Sequence, residues 1–153
     1  MARELIVEAD GGSRGNPGIS GGGSVVIDPA TGEILAEIGT YTGIASNNVA
    51  EYTGMIAGIR KALEIAPDAN LHVRMDSKLV VEQMSGRWKI KHPAMADLAA
   101  EARQLLNGTI VSFEWIPRAE NSRADRIANE VMDKKLSFSR GPAGEEKRGV
   151  HFA

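Results

Sequence analysis

The sequence predicts an α/β fold: a mixed five-stranded sheet, three antiparallel strands in a meander followed by parallel strands, with helices on both faces. Three observations lead there. Apolar or alternating runs bounded by Gly and Pro mark five strands. Segments with apolar residues at helical spacing lie between and after them. The resulting order, β-β-β-α-β-α-α-β-α, puts a meander before the first helix and strand–helix alternation after it.

Taken in order, Leu5–Ala9 reads as a short strand that stops at Asp10, because Gly11 and Gly12 interrupt the pattern at once. The stretch "SGGGSVVIDPATGEILAEIGTYTG" reads as two strands joined at "DPATG", where Pro29 and Gly32 suit a hairpin turn. "SNNVAEYTGMIAGIRKALEIA" is the clearest helix: Val49, Tyr52, Ile56, Ile59 and Leu63 recur on one side, and Ser46 or Asn47 can cap its start. "NLHVRMDS" is a strand ending at Asp76, followed by a short helix through Gln83. "PAMADLAAEARQLL" is a helix opened by Pro93, "TIVSFEWIP" a last strand and "NSRADRIANEVMDKK" a last helix. From Ser137 onward the chain loses periodicity and is rich in Gly and charge, so residues 1–136 are expected to form one domain and 137–153 a disordered tail or linker stub.

A chain of 153 residues suits one domain with a single core, and 42% hydrophobic with 25% charged residues is ordinary globular composition. A net charge of −2 gives no overall attraction to polyanions, although a local basic patch is compatible with it. With no cysteine, disulfides, thiolate metal sites and cysteine nucleophiles are excluded. The N-terminal apolar run Leu5–Val7 is far too short for a signal segment, and no later stretch could cross a bilayer. A cytoplasmic protein without a membrane or obligate protein partner is the expectation.

Four carboxylates stand out. Asp10 and Asp76 end strands, where α/β sheets gather ligands, although each could simply begin a turn. Glu51 lies on the flank of its helix beside Met55, Gly58 and Ala62, away from Arg60, Lys61 and Glu64. A carboxylate there must be paired, protonated or metal-bound; the simpler reading is a first-turn Glu favoured by the helix dipole. Asp125 borders the stripe formed by Ala124, Ile127, Ala128 and Val131, and it too could serve the dipole. Together, four acids from four elements match the hard oxygen ligands that Mg²⁺ takes. Two such ions roughly 4 Å apart would offset their mutual repulsion. The glycines after Asp10 either turn the chain or admit something close to the backbone, and no Gly-Lys-Ser/Thr ending makes them a nucleotide-phosphate loop.

The motifs "DGGSRGNPG", "SNNVAEY", "MDS" and "ENSRADRIAN", in this order and spacing, resemble those of type 1 ribonuclease H, and with the meander the likeness covers about residues 3 to 135. The resemblance implies that Asp10, Glu51, Asp76 and Asp125 are catalytic and bind two Mg²⁺ ions, with Mn²⁺ as a substitute. It implies hydrolysis of the RNA strand of RNA/DNA hybrids, with 5′-phosphate and 3′-hydroxyl ends. Gly11, Gly12, Ser13 and Asn16 would then lie close to the RNA strand, Asn16, Asn47 and Asn48 would touch sugars and base edges, and Ser46 a DNA phosphate. Lys78 falls at a position near the minor groove.

The chain departs from the pattern at two points. Where many relatives carry a histidine before the last helix, this chain has "PRAEN", with Arg118 or Glu120 as stand-ins or as solvated loop charges. Where many carry a basic helical protrusion, only about ten residues separate Gln83 from Pro93, too few for an extra helix. What remains is "GRWKIKH", in which Trp88, Lys89 and Lys91 suit a DNA-strand groove, unless Trp88 caps the core. Two other readings stand beside the ribonuclease: an integrase- or transposase-like polynucleotidyl transferase core, and a hybrid-binding module without catalysis. The tail could also lead to a further C-terminal domain, as in two-domain relatives.

Overall fold

The computed structural model describes residues 3–141 and, as backbone, 146–148. Its strands are β1 Glu4–Arg14, β2 Gly18–Asp28, β3 Glu33–Ala45, β4 Asn70–Met75, β5 Val111–Trp115, β6 Phe138–Arg140 and β7 Glu146–Arg148. Its helices are α1 Asn47–Ile65, α2 Lys78–Met84, α3 Pro93–Leu105 and α4 Ser122–Lys134, the last preceded by a 3-10 turn at Arg118–Glu120. The strands form one sheet in the order β5-β4-β1-β2-β3-β6-β7. β1, β2 and β3 pair antiparallel, whereas β4 and β5 add in parallel to β1.

The expected meander, parallel strands and helices on both faces are all present. The sheet is wider than expected: among the described residues there are seven strands rather than five, because β6 and β7 extend the sheet beyond β3. The segment from 137, expected as a disordered tail or linker stub, therefore contains a strand from Phe138 to Arg140. Phe138 pairs with Gly39 and is fully buried, which no periodicity in so short a segment could reveal. Arg140 stacks on Phe138 with its guanidinium 4.2 Å from the ring centre and pairs with Glu130 and Glu37. Residues 142–145 and 149–153 of the expected tail lie outside the described residues.

Side-chain alternation divides the core in two. Leu5, Val7, Val26 and Val73 face one way and pack with Tyr52, Met55 and Ile59 of α1 and Met95, Ala99 and Ala102 of α3. Val25 and Ile27 face the other way, under Ile127 and Val131 of α4 and Phe138.

What brings the helices over the middle of the sheet is glycine. Strand β1 does not stop at Asp10 but continues to Arg14, with Gly11 and Gly12 inside it. A Cβ on Gly11 would lie 2.2 Å from the carbonyl carbon of Ala50, so α1 rests directly on the strand. Gly54 returns the contact, its missing Cβ 2.4 Å from the Asp10 carbonyl oxygen. In β2, Gly22 meets Gly54 on this face, while a Cβ on Gly23 would strike the Ala124 carbonyl oxygen of α4 at 2.4 Å on the other. Both helices thus approach closer than any side chain would allow. The chain itself turns at Gly15, where φ is +104°.

Candidate active site

The four singled-out acids lie on four elements and line one cleft of about 360 Å³: Asp10 in β1, Glu51 in α1, Asp76 just past β4 and Asp125 in the first turn of α4. Glycine contact accounts for the first two, since α1 sits on Gly11 with Glu51 as the next residue after Ala50. Asp76 follows the last residue of β4, which pairs with β1 up to Ala9 and Met75. Asp125 enters from the opposite face on α4.

The cluster is electrostatically strained. Burial, reinforced by Asp76 and then Asp125, pushes the Asp10 carboxyl up to about 8, against the opposing effect of the Gly11 N–H. Burial, with a smaller contribution from Asp76, pushes Glu51 up to about 7 despite a hydrogen bond with Ser77. Arg118 offsets Asp125 directly, at 3.8 Å.

The remaining expected residues separate into three groups. Gly11, Gly12, Ser13, Asn47 and Arg118 line the cleft. Asn16 and Ser46 brace it: Asn16 Oδ1 accepts from the Asn47 N–H at 3.0 Å, Asn47 Oδ1 accepts from the Ser13 N–H at 2.8 Å, and Ser46 caps α1 through the Val49 N–H. Asn48 is half-buried beside them. Lys78, Trp88, Lys89 and Lys91 lie on the surface outside the cleft lining. Trp88 is 46% exposed and does not cap the core. Lys78 pairs with Glu82 at 3.3 Å and stands 5.8 Å from the Trp115 ring centre. No helix intervenes between α2 and α3; the "GRWKIKH" loop is clamped to α2 by the Arg87–Glu82 pair and by Gln83 donating to the Lys89 carbonyl. Glu120 lies 3.9 Å from Arg74 and does not line the cleft.

Asn121 escaped the sequence reading although it lies in a quoted motif. It is fully buried, and its Nδ2 donates both to the Ala9 carbonyl and to Asp76 Oδ1 at 2.9 Å. It precedes α4 without capping it; the amide is spent on holding Asp76 instead. Asn129 and Arg14 also line the cleft unanticipated, joined by a 3.4 Å contact, with Arg14 anchored to Asp133 at 2.7 Å.

A β5-β4-β1-β2-β3 core with acids contributed by β1, α1, the residue just past β4, and α4 defines the ribonuclease H-like class of fold. A family described as reverse transcriptase-like matches residues 8–131. The N-terminal RNase H domain of Rv2228c from Mycobacterium tuberculosis, solved as a maltose-binding-protein fusion, is 49% identical, with 87% of this chain and 96% of that one covered at a TM-score of 0.83. LC11-RNase H1 in complex with an RNA/DNA hybrid is 38% identical, with 86% and 98% covered and a TM-score of 0.81. Ribonuclease HI of Halobacterium salinarum is 42% identical over 81% of this chain and 62% of its own length. The chain belongs to this ribonuclease H-like family. It spans 40% of the length of the bifunctional protein Rv2228c, to which it is 50% identical.

Proposed function

We propose that the protein hydrolyses the RNA strand of RNA/DNA hybrids with the help of two divalent cations, Mg²⁺ by preference, leaving 5′-phosphate and 3′-hydroxyl ends. The observation that carries the reading is the convergence of Asp10, Glu51, Asp76 and Asp125 from four elements in one cleft. The donor set fits the ions: every acid offers hard oxygens, and the raised Asp10 and Glu51 carboxyls mark a cluster short of positive charge. Among the described residues no three acids enclose a point as a ready-made cage. Mg²⁺ does not need one, because it keeps waters and shares its coordination with substrate phosphate.

Bound there, the ions would supply a nucleophile from water and stabilise the leaving oxygen. The chain's own residues do the rest. Asp10 and Asp76 present carboxylates from adjacent strands, and Asn121 holds Asp76 in place. Arg118, largely exposed at the cleft, would supply a cation to the phosphate region, at the place where many members of the resembled family carry a histidine. The Ser13–Asn47–Asn16 brace fixes the backbone rim along which the RNA strand would lie, where 2′-hydroxyls distinguish RNA from DNA. Lys89 and Lys91 offer exposed cations to the DNA strand's phosphates. Four intact acids disfavour a pure hybrid-binding module, which would gain more from lysines there.

Incubation with end-labelled RNA/DNA, RNA/RNA and DNA/DNA duplexes, with and without Mg²⁺, tests the proposal. Cleavage confined to the hybrid's RNA and abolished by EDTA is expected; equal cleavage of a DNA duplex would point to the transferase-like reading.

A further inference from the structure

Two positions before each of the three aspartates stands a charged residue: Glu8-Ala9-Asp10, Arg74-Met75-Asp76 and Arg123-Ala124-Asp125. The fold brings these three together. Arg123 grips Glu8 with two hydrogen bonds, Nε to Oε1 and Nη2 to Oε2, both 3.1 Å. Arg74 Nη1 lies 3.6 Å from Glu8 Oε2, and Glu8 and Arg74 are register partners in the parallel β1–β4 pair. The Glu8 side chain is only 1% exposed, although it is charged and two residues from the cleft. Arg74 is held in turn by Glu114 at 3.4 Å and Glu120 at 3.9 Å.

From this we infer that Glu8, Arg74 and Arg123 form a positioning layer one step beneath the aspartates, setting where Asp125 stands relative to Asp10 and Asp76. The inference rests on the metal-dependent reading proposed above.

The need for such a layer follows from how α4 sits on the sheet. Its first turn rests on β2 where the Ala124 carbonyl oxygen meets Gly23, while the apolar side chains of α4 that pack on the sheet, Ile127 and Val131, lie further along the helix. At the Asp125 end the Arg123–Glu8 pair therefore adds a side-chain grip against rolling. Arg123 and Asp125 flank Ala124, about 200° apart around the axis. A grip on one flank therefore fixes the other. With side chains about 5–6 Å from the axis, a roll of roughly 15° would move the Asp125 carboxylate by about 1.5 Å. A misplacement of about 1 Å can reduce turnover about 100-fold. On the strand side, residues two apart share a face, so the Glu8–Arg74 contact aligns Asp10 with the strand end that carries Asp76. An ion pair between a buried carboxylate and partly exposed arginines contributes little net stability compared with an apolar replacement. Its retention beneath three acids fits positioning better than folding.

The test separates these roles. In the double variant Glu8→Leu/Arg123→Leu, the melting temperature should match or exceed the parent's, and KM for the hybrid should stay within about twofold. The kcat, and the affinity of the substrate-free protein for Mg²⁺ measured by calorimetry, should each fall about 10- to 100-fold. Parental kcat and Mg²⁺ affinity in a folded double variant would overturn the layer. Should the double variant melt early, Arg123→Lys decides, since it keeps the charge but loses the two-pronged grip. It should show an intermediate fall in kcat at parental melting temperature, and parental kcat there would equally overturn the inference. A parent that neither binds Mg²⁺ nor cleaves hybrid would instead sink the underlying functional reading.

Discussion

Replacing Gly11 with Ala tests how the acidic cleft is built. The new Cβ would lie 2.2 Å from the Ala50 carbonyl carbon and 2.3 Å from the Glu51 nitrogen, both backbone atoms that no rotamer change can move. Ordinary contact begins near 3.4 Å, so α1 must retreat by about 1.2 Å. Overpacking of this kind costs about 3 kcal/mol, at the upper end of its range because the obstacle is backbone. For a chain of this size that corresponds to a fall of roughly 6–12 °C in Tm. Glu51 moves with the helix, and a displacement of about 1 Å should lower kcat on an RNA/DNA hybrid about 100-fold. Gly12→Ala is the internal control. Its Cβ would meet the Met132 side chain, Cε at 3.1 Å and Sδ at 3.7 Å, the end of a flexible side chain that can yield. Its stability loss should stay under about 1 kcal/mol. Thermal melts and steady-state kinetics of both variants decide; a Gly11→Ala protein with parental Tm and kcat would refute the claim that helix contact places Glu51.

Phe138→Ala should destabilise the fold by about 3–5 kcal/mol, because the ring is fully buried between β3 and α4; an unchanged denaturation midpoint would mean that β6 is dispensable. The pH response follows from Asp10 and Glu51, whose folded values of about 8 and about 7 exceed the ordinary 3.8 and 4.5. Groups raised in this way support the fold while protonated, so the metal-free protein should lose stability as pH rises from about 4 through 8. Glu82, Glu114 and Glu130, held low by Arg87, His72 and Arg140, act only at the acid edge of that window and below it. The rise in Tm on adding Mg²⁺ should accordingly be larger at pH 8.5 than at pH 5.5, and the opposite order would contradict the assignment. Lys89→Ala with Lys91→Ala should raise KM for the hybrid, leave kcat nearly unchanged and flatten the salt dependence by about one unit of slope per lost contact. Identical KM and slope in parent and variant would leave these lysines as a solvated face.

Much of the site was legible because its chemistry is carried by residue type and spacing. Asp76 follows the end of a strand, Asp10 stands where a strand runs into glycines, Glu51 lies on the apolar flank of a helix, and Asp125 opens the last helix; the order of elements then brings them to one cleft. The glycines of "DGGSRGNPG" looked like a loop, because Gly weakens any strand signal, whereas Gly11 and Gly12 continue β1 and Gly11 admits a helix. Phe138 stands alone between polar residues, and only its pairing with Gly39 shows that the sheet continues. Asn121 resembles an ordinary helix cap in sequence; that its amide reaches Asp76 depends on contact across 45 residues. The charged-x-Asp triplet was present three times in the chain, but its meaning appears only once β1, β4 and α4 are packed together.

The central claim is that the cleft acids act on a hybrid through bound cations, and RNA cleavage by the parent and by Asp10→Asn tests it most directly. Each would be given the same 5′-labelled hybrid in Mg²⁺ and in EDTA, with hybrid binding measured alongside. Parent cleavage that requires Mg²⁺, together with an Asp10→Asn protein that binds the hybrid but no longer cuts it, is the predicted result. Cleavage by the parent in EDTA, or parental turnover by Asp10→Asn, would contradict it.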